Sequence, residues 1–164
     1  MSGTLDYTWM ATPVGRLLVA GDDQGLRYVL FKAGRAAVGP RPGWRENRTR
    51  LGEAVRQLQA YFAGELRRFD LPLAPEGTVF QQRVWQELLR IPYGETISYG
   101  ELARRIGKPT GSRAVGLANG ANPISIVIPC HRVIGSTGRL TGYGGGLKNK
   151  EWLLALERGE FALT

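Results

Sequence analysis

The apolar residues of this chain change their period partway along it, and that change limits the folds open to it. Over residues 5–31 the rhythm is that of strands. Leu5-Asp6-Tyr7-Thr8-Trp9-Met10 alternates roughly, Pro13-Val14-Gly15 punctuates, residues 16–20 are strand-like, and Gly21-Asp22-Asp23-Gln24-Gly25 turns the chain into residues 26–31. An antiparallel meander is predicted. Over residues 49–62 the spacing becomes helical, with Leu51, Val55, Leu58 and Phe62 on one face and Gly64 as the stop. Beyond residue 78 helical signals dominate. A sheet-and-helix lobe followed by a helical lobe is an α+β arrangement. Ala74-Pro75-Glu76-Gly77 reads as the joint, which places an N-terminal α/β domain at 1–76 and a C-terminal domain at 77–164.

The second lobe is well signposted. Thr78-Val79-Phe80-Gln81 is a capping box opening a helix with Phe80, Val84, Leu88, Trp85 and Leu89 on one side, and Pro92-Tyr93-Gly94 ends it. Ser98-Tyr99-Gly100-Glu101 is a second capping box, for a helix over 101–106 that Gly107-Lys108-Pro109 terminates. Ser112 is placed to cap a third helix starting at Arg113. The last two have the shape of a helix-turn-helix. In that third helix, Arg113-Ala114-Val115-Gly116-Leu117-Ala118-Asn119-Gly120-Ala121, only Arg113 and Asn119 are obvious hydrogen-bonding candidates. Such small side chains suit either close backbone approach to DNA or tight helix packing. Residues 124–128 read as a buried strand delivering Pro129 and Cys130 to the interior, and residues 151–157, with Trp152, Leu153 and Leu156, as a last amphipathic helix. Residues 33–46 read as a long surface loop and residues 69–73 as an extended segment.

What holds such a chain together is restricted too. It has one cysteine and one histidine, so it can form no internal disulfide and no four-ligand zinc site. Packing must carry the fold, and no metal or other cofactor is expected. Gly142-Tyr143-Gly144-Gly145-Gly146 fits neither a Walker loop nor a dinucleotide fingerprint, which excludes a nucleotide cofactor. No apolar run approaches the roughly 18 residues of a membrane span, and the start lacks the pattern of a signal peptide, so a cytoplasmic location is the default. The net charge is +8, and between residues 103 and 150 stand Arg104, Arg105, Lys108, Arg113, Arg132, Arg139, Lys148 and Lys150 without one acid. This concentration points to a polyanionic partner.

Inside that basic stretch the lone cysteine and the lone histidine are adjacent, as Cys130-His131, which chance would produce roughly one time in 80. A thiolate is the nucleophile, so Cys130 needs a group to take its proton, and His131 is the only imidazole. Neighbours in an extended segment face opposite ways, so a bridging water is the expected relay. Glu157 or Glu151 could orient the imidazole, and spacing does not choose between them. The alternative is an inert buried thiol.

With those residues assembled, the chain resembles the O6-alkylguanine-DNA alkyltransferases, the methylated-DNA–protein-cysteine methyltransferase family, in its compact bacterial form. Ile128-Pro129-Cys130-His131-Arg132-Val133 matches the family's active-site motif. Pro92-Tyr93-Gly94-Glu95-Thr96 with Ser98-Tyr99, Arg113-Ala114-Val115-Gly116, Asn122-Pro123, Thr141-Gly142-Tyr143-Gly144-Gly145-Gly146 and Lys150-Glu151-Trp152-Leu153-Leu154 follow in the family's order. The likeness covers nearly all of residues 78–157. The first lobe is similar only in its pattern of strands and helix.

The resemblance implies a ribonuclease-H-like N-terminal domain, an antiparallel sheet with a helix, and a C-terminal winged helix-turn-helix domain. It implies direct reversal of DNA damage, with the alkyl group on O6 of guanine, and also on O4 of thymine, moved irreversibly to Cys130. His131 would act as base through water, Glu157 would complete the network, Asn122 would support the turn, and Tyr99 would donate towards the guanine ring. Arg113 would fill the space left by a flipped nucleotide. Ser98, Ala114, Gly116, Asn119, Tyr143, Gly144 and Gly145 would lie against DNA or the base. The implied partner is double-stranded DNA, held in its minor groove without regard to sequence by a monomer, with cooperativity left open. Two departures stand out. Gly144 replaces a serine found in some members, and the zinc ligands of some relatives are missing. A non-catalytic alkyltransferase-like protein and a cysteine hydrolase are the rival readings. The presence of Cys130 argues against the first, and turnover would mark the second.

Overall fold

The computed structural model describes residues 4–32, 39–138, 140, 143 and 145–161. The predicted meander is present as β1 (Asp6–Thr12), β2 (Gly15–Asp22) and β3 (Gly25–Phe31), each antiparallel to the next. Leu17, Leu18, Val19 and Ala20 of β2 are wholly buried, as a central strand covered on both faces must be. The sheet runs β3-β2-β1-β4. Its fourth strand, β4 (Arg45–Glu46), comes from the segment read as loop and pairs in parallel with β1, so the sheet is not purely antiparallel. Backbone bonds from Arg45 N–H to Leu5 C=O (2.9 Å) and from Asn47 N–H to Tyr7 C=O (2.8 Å) make that edge. They cover groups that β1 would otherwise leave open to another chain.

Helix α1 (Gly52–Phe62) buries Ala54, Val55, Gln57, Leu58 and Tyr61. The Gln57 side chain bonds both the C=O (3.0 Å) and the N–H (2.8 Å) of Asp70, which satisfies a buried amide. This anchors the extended segment that follows. Pro72 C=O accepts from Leu26 N–H at 2.8 Å, so the segment lies along the start of β3. Farther along the same strand, Val29 N–H donates to Pro123 C=O and Val29 C=O accepts from Ser125 N–H, both at 3.0 Å. The sheet edge therefore fastens the chain just ahead of Cys130.

In the second lobe, α2 (Val79–Leu88) begins with both halves of the predicted capping box, between Thr78 and Gln81. Only half of the second box forms ahead of α3 (Tyr99–Arg105). Ser98 Oγ accepts from Glu101 N–H, while the Glu101 carboxylate turns to Arg104 and Arg105, a stronger pair of charged donors. Helix α4 (Ser112–Gly120) is not capped by Ser112, which is already helical; Gly111 stands at the cap. Trp85 Nε1 donates to Ala118 C=O at 2.9 Å and locks α4 onto α2. Gly107, at φ 78°, takes the left-handed conformation that ends α3 and sets up the turn between α3 and α4. Short strands β5 (Ile97–Ser98) and β6 (Val133–Ile134) pair in parallel.

The last helix, α5 (Leu147–Glu157), begins four residues earlier than its apolar pattern suggested. One apolar cluster runs through both lobes, joining Val29, Phe31 and Tyr61 to Ile91, Ile124, Val127 and Leu153. No helix among the described residues is long and apolar enough to cross a membrane.

Candidate active site

Residues 124–128 are buried, but they are not the expected strand. Val127 N–H reaches back to Ser125 C=O at 2.8 Å around Ile126, whose φ is 75°. Cys130 N–H reaches back to Ile128 C=O at 2.8 Å around Pro129, at φ −82° and ψ 63°. These are two successive γ-turns, the first of the strained hand. A β-branched residue at positive φ costs about 1–3 kcal/mol and persists only where its surroundings impose it. Here Asn122 imposes it. Its Nδ2 donates to Ile128 C=O at 2.8 Å and its Oδ1 accepts from Ile124 N–H at 2.9 Å.

The chain then makes a single 3-10 turn, Cys130–Arg132, in place of the extended conformation expected there. Both chemistry-bearing side chains are buried by it, Cys130 to 5% exposure and His131 to 0%. Of the two candidate carboxylates, Glu157 meets the imidazole, with Oε2 2.7 Å from His131 Nε2, while Glu151 is exposed. Arg132 grips the same carboxylate with two bonds, Nε to Oε1 at 2.8 Å and Nη2 to Oε2 at 3.0 Å. Tyr61 donates its hydroxyl to Oε2 at 2.6 Å, and Gly94 N–H to Oε1 at 3.3 Å.

Electrostatics assign the protons. Burial pushes the Glu157 carboxyl up, but the donors from His131 and Arg132 outweigh it and hold the group below the usual carboxylate range. Burial pushes the His131 imidazole down against the pull of Glu157. A neutral imidazole beside an ionised carboxylate carries its proton on Nε2, which leaves the lone pair on Nδ1. That nitrogen is buried and has no hydrogen-bond partner among the described residues. Burial likewise raises the Cys130 thiol, with Asn122 and Lys150 pulling it back. At rest the pair is therefore a neutral thiol and a neutral base.

Lys150 is the second charged residue on the buried side of α5. Its Nζ donates to Val133 C=O at 2.7 Å, and burial brings its pKa down to about 8, against an upward pull from Cys130. Lys150, Leu153, Leu154 and Glu157 fall at i, i+3, i+4 and i+7 and are all buried. Charges on an apolar stripe are the signal that could have found Lys150 in the sequence. Tyr61 sits at i+3 from Leu58 and carried no such mark. Arg132 lies within the active-site motif, where nothing in its spacing marks it as a partner of Glu157.

The other expected residues differ in burial and surroundings. Ser98 and Tyr99 are half-buried at the start of α3, and a Cβ on Gly116 would stand 3.8 Å from the Tyr99 ring. Arg113 and Ala114 are exposed on the first turn of α4, with Leu117 73% exposed beyond them. Asn119 differs from expectation. It is 3% exposed and points inward, Nδ2 to Cys130 C=O at 3.4 Å, so it faces the active-site turn and not a groove. Tyr143 is buried, edge-on to Phe31 at 5.6 Å, and Gly145 lies so close to that ring that a Cβ would come within 2.5 Å. Gly144 lies outside the described residues. Among the described residues no cluster of three or more His, Cys, Asp or Glu could hold a metal ion.

Residues 5–75 match the family model described as the ribonuclease-like domain of 6-O-methylguanine DNA methyltransferase, and residues 79–159 match that of its DNA binding domain. The chain is 57% identical, over 151 residues, to the methylated-DNA–protein-cysteine methyltransferase of Methanosarcina acetivorans, covering 92% of this chain and 97% of that one. It is 55% identical, over 154 residues, to the protein of the same name from Mycolicibacterium paratuberculosis, covering 94% and 93%. The crystal structure of Mycobacterium tuberculosis OGT in complex with DNA is similar at a TM-score of 0.88 and 51% identity, over 94% of this chain and 93% of that one.

Proposed function

This chain belongs to the 6-O-methylguanine DNA methyltransferase family, and from that premise we propose that Cys130 is the acceptor in a single-use reversal of DNA damage. DNA repair by transfer of an alkyl group to a protein cysteine is the activity. The observation that carries the assignment to Cys130 is a buried free thiol next in the chain to an imidazole whose Nε2 is held by Glu157 at 2.7 Å and whose Nδ1 has no hydrogen-bond partner among the described residues.

His131 Nδ1 takes the thiol proton through one water, and the thiolate attacks the alkyl carbon on O6 of guanine. The S–C bond forms as the C–O bond breaks, and the electron pair passes to the purine. Tyr99 donates towards the ring nitrogen, which improves the base as a leaving group. Taking up a proton restores guanine. Cys130 is left as a thioether, which offers water no acyl carbon to attack, so each molecule reacts once. The same chemistry extends to O4-alkylthymine.

A stacked base cannot meet a thiol that is only 5% exposed, so the lesion must leave the duplex. Arg113, exposed on the first turn of α4, fills the gap. The small outward face around Ala114 suits close approach in a minor groove without base reading. We read the protein as a monomer acting in the cytoplasm, divided near residue 76.

Titration with duplex DNA carrying one O6-methylguanine should add one methyl mass per chain, located on Cys130, and then stop. Repeated turnover, or a methyl group on another residue, overturns the proposal. Arg113→Ala should slow repair of duplex by about 10-fold or more while leaving reaction with a free modified base nearly unchanged. Equal losses on both substrates would remove Arg113 from the flipping role.

A further inference from the structure

Glu157 is held by donors from two lobes. Oε2 alone accepts from Tyr61 Oη (2.6 Å), His131 Nε2 (2.7 Å) and Arg132 Nη2 (3.0 Å). Tyr61 belongs to α1, far off in sequence, and is wholly buried. Its ring packs with Phe62 and Phe69 at 5.4 Å and with Tyr93 at 6.2 Å, contacts that phenylalanine would make equally well. Only the hydroxyl distinguishes tyrosine here, and a buried hydroxyl is costly unless bonded. Burial first, and then the charge of Glu157, push its pKa well up, so it remains a donor at every working pH.

We propose that Tyr61 is a positioning residue that sets the base strength of His131, by donating to the carboxylate oxygen that also holds the imidazole. This rests on His131 serving as the base. The mechanism is competition for charge. Each donor to Oε2 draws on the same negative charge, so the Tyr61 hydroxyl weakens the pull of Glu157 on the imidazole proton. The N-terminal lobe thereby keeps His131 neutral to lower pH than Glu157 alone would allow. The charged and titratable groups around this pair, among the described residues, are Glu157 and Lys150 from α5, Arg132 and Cys130 from the 3-10 turn, Tyr61 from α1, Arg67 from the segment after α1, whose guanidinium lies 5.3 Å over the Tyr93 ring, Tyr93 from the turn after α2, and Tyr143. Of the first-lobe groups among them, Tyr61 is the one that donates to the carboxylate.

The test is Tyr61→Phe, read by single-turnover transfer rate against pH and by 15N NMR of the imidazole, which is the only one in the chain. The acid limb of the rate profile and the imidazole titration should both move up by about half a pH unit. The rate on that limb should fall about threefold and recover at higher pH. A purely structural role would lower thermal stability without moving either midpoint, and that result would overturn the proposal. Should the phenylalanine variant fail to fold, 3-fluorotyrosine at position 61 keeps the volume and donates more strongly. Both midpoints should then move down, and no movement is again a refutation. Mapping the methyl group separates the two levels. A methyl group absent from Cys130 of the unaltered chain removes the underlying reading, whereas a methylated Cys130 with unmoved midpoints removes only the role of Tyr61.

Discussion

Cys130→Ser is expected to accept no alkyl group from methylated duplex, a loss of at least about 10⁴-fold in single-turnover rate, while DNA affinity stays within about twofold. The substitution changes one buried atom and leaves the two γ-turns in place, since these depend on backbone groups and Asn122. The loss is chemical. A serine hydroxyl is far less acidic than a thiol, and a buried neutral imidazole is too weak a base to ionise it. Affinity is spared because the exposed first turn of α4, with Arg113 and Ala114, is separate from the buried 3-10 turn. Intact mass after incubation reads the first outcome, and a binding isotherm on the same duplex reads the second. Joint loss of transfer and binding would mean that the thiol and the groove contacts are not separate parts.

Glu157→Gln should cost both stability and rate. The amide has the shape of the carboxylate but no charge, so it leaves the guanidinium of Arg132 buried without its counter-ion. Breaking a buried pair from one side costs about 3–5 kcal/mol, which urea denaturation would measure. The imidazole loses its anionic partner as well, and transfer should slow by about 10²–10³-fold. Acid should affect the two proteins differently. The folded pKa of Glu157 lies below its ordinary 4.5, so its stabilisation is complete above about pH 4.5 and disappears as pH falls through the folded value. The folded pKa of His131 lies below 6.5, so the unfolded chain takes up that proton first and stability declines once pH drops under 6.5. The unaltered protein should show both declines and the glutamine variant only the one due to His131. A variant within 1 kcal/mol of the parent, with a similar acid profile, would show that the carboxylate does not organise this network.

The elements with a repeating pattern were legible from residues alone. β1 to β3, α1 and α2 appear close to their expected places, because burial of one face of a strand or helix writes its period directly into the sequence. Short, irregular pieces were not legible. β4 forms because its N–H and C=O groups complete an edge, which needs no particular side-chain pattern. Residues 124–128 read as a strand because they are apolar and buried, yet an apolar run records burial and not backbone direction. The bonds from Asn122 and Val29 impose the turns. The resemblance places Asn119 against DNA, but the inward face of α4 is set by Trp85 on the helix behind it.

What the sequence determined by itself was the kind of chemistry and where it begins. One thiol beside one imidazole in an acid-free basic stretch admits few readings, and the surrounding motif narrows them to a single family. Tertiary structure decided how the site works. Glu157 was chosen over Glu151, Nδ1 was left as the basic nitrogen, and Tyr61 and Lys150 were brought to the cysteine region. The physical reason is that hydrogen bonds between groups up to 96 positions apart depend on how helices and sheet pack, and on which polar atoms that packing removes from water.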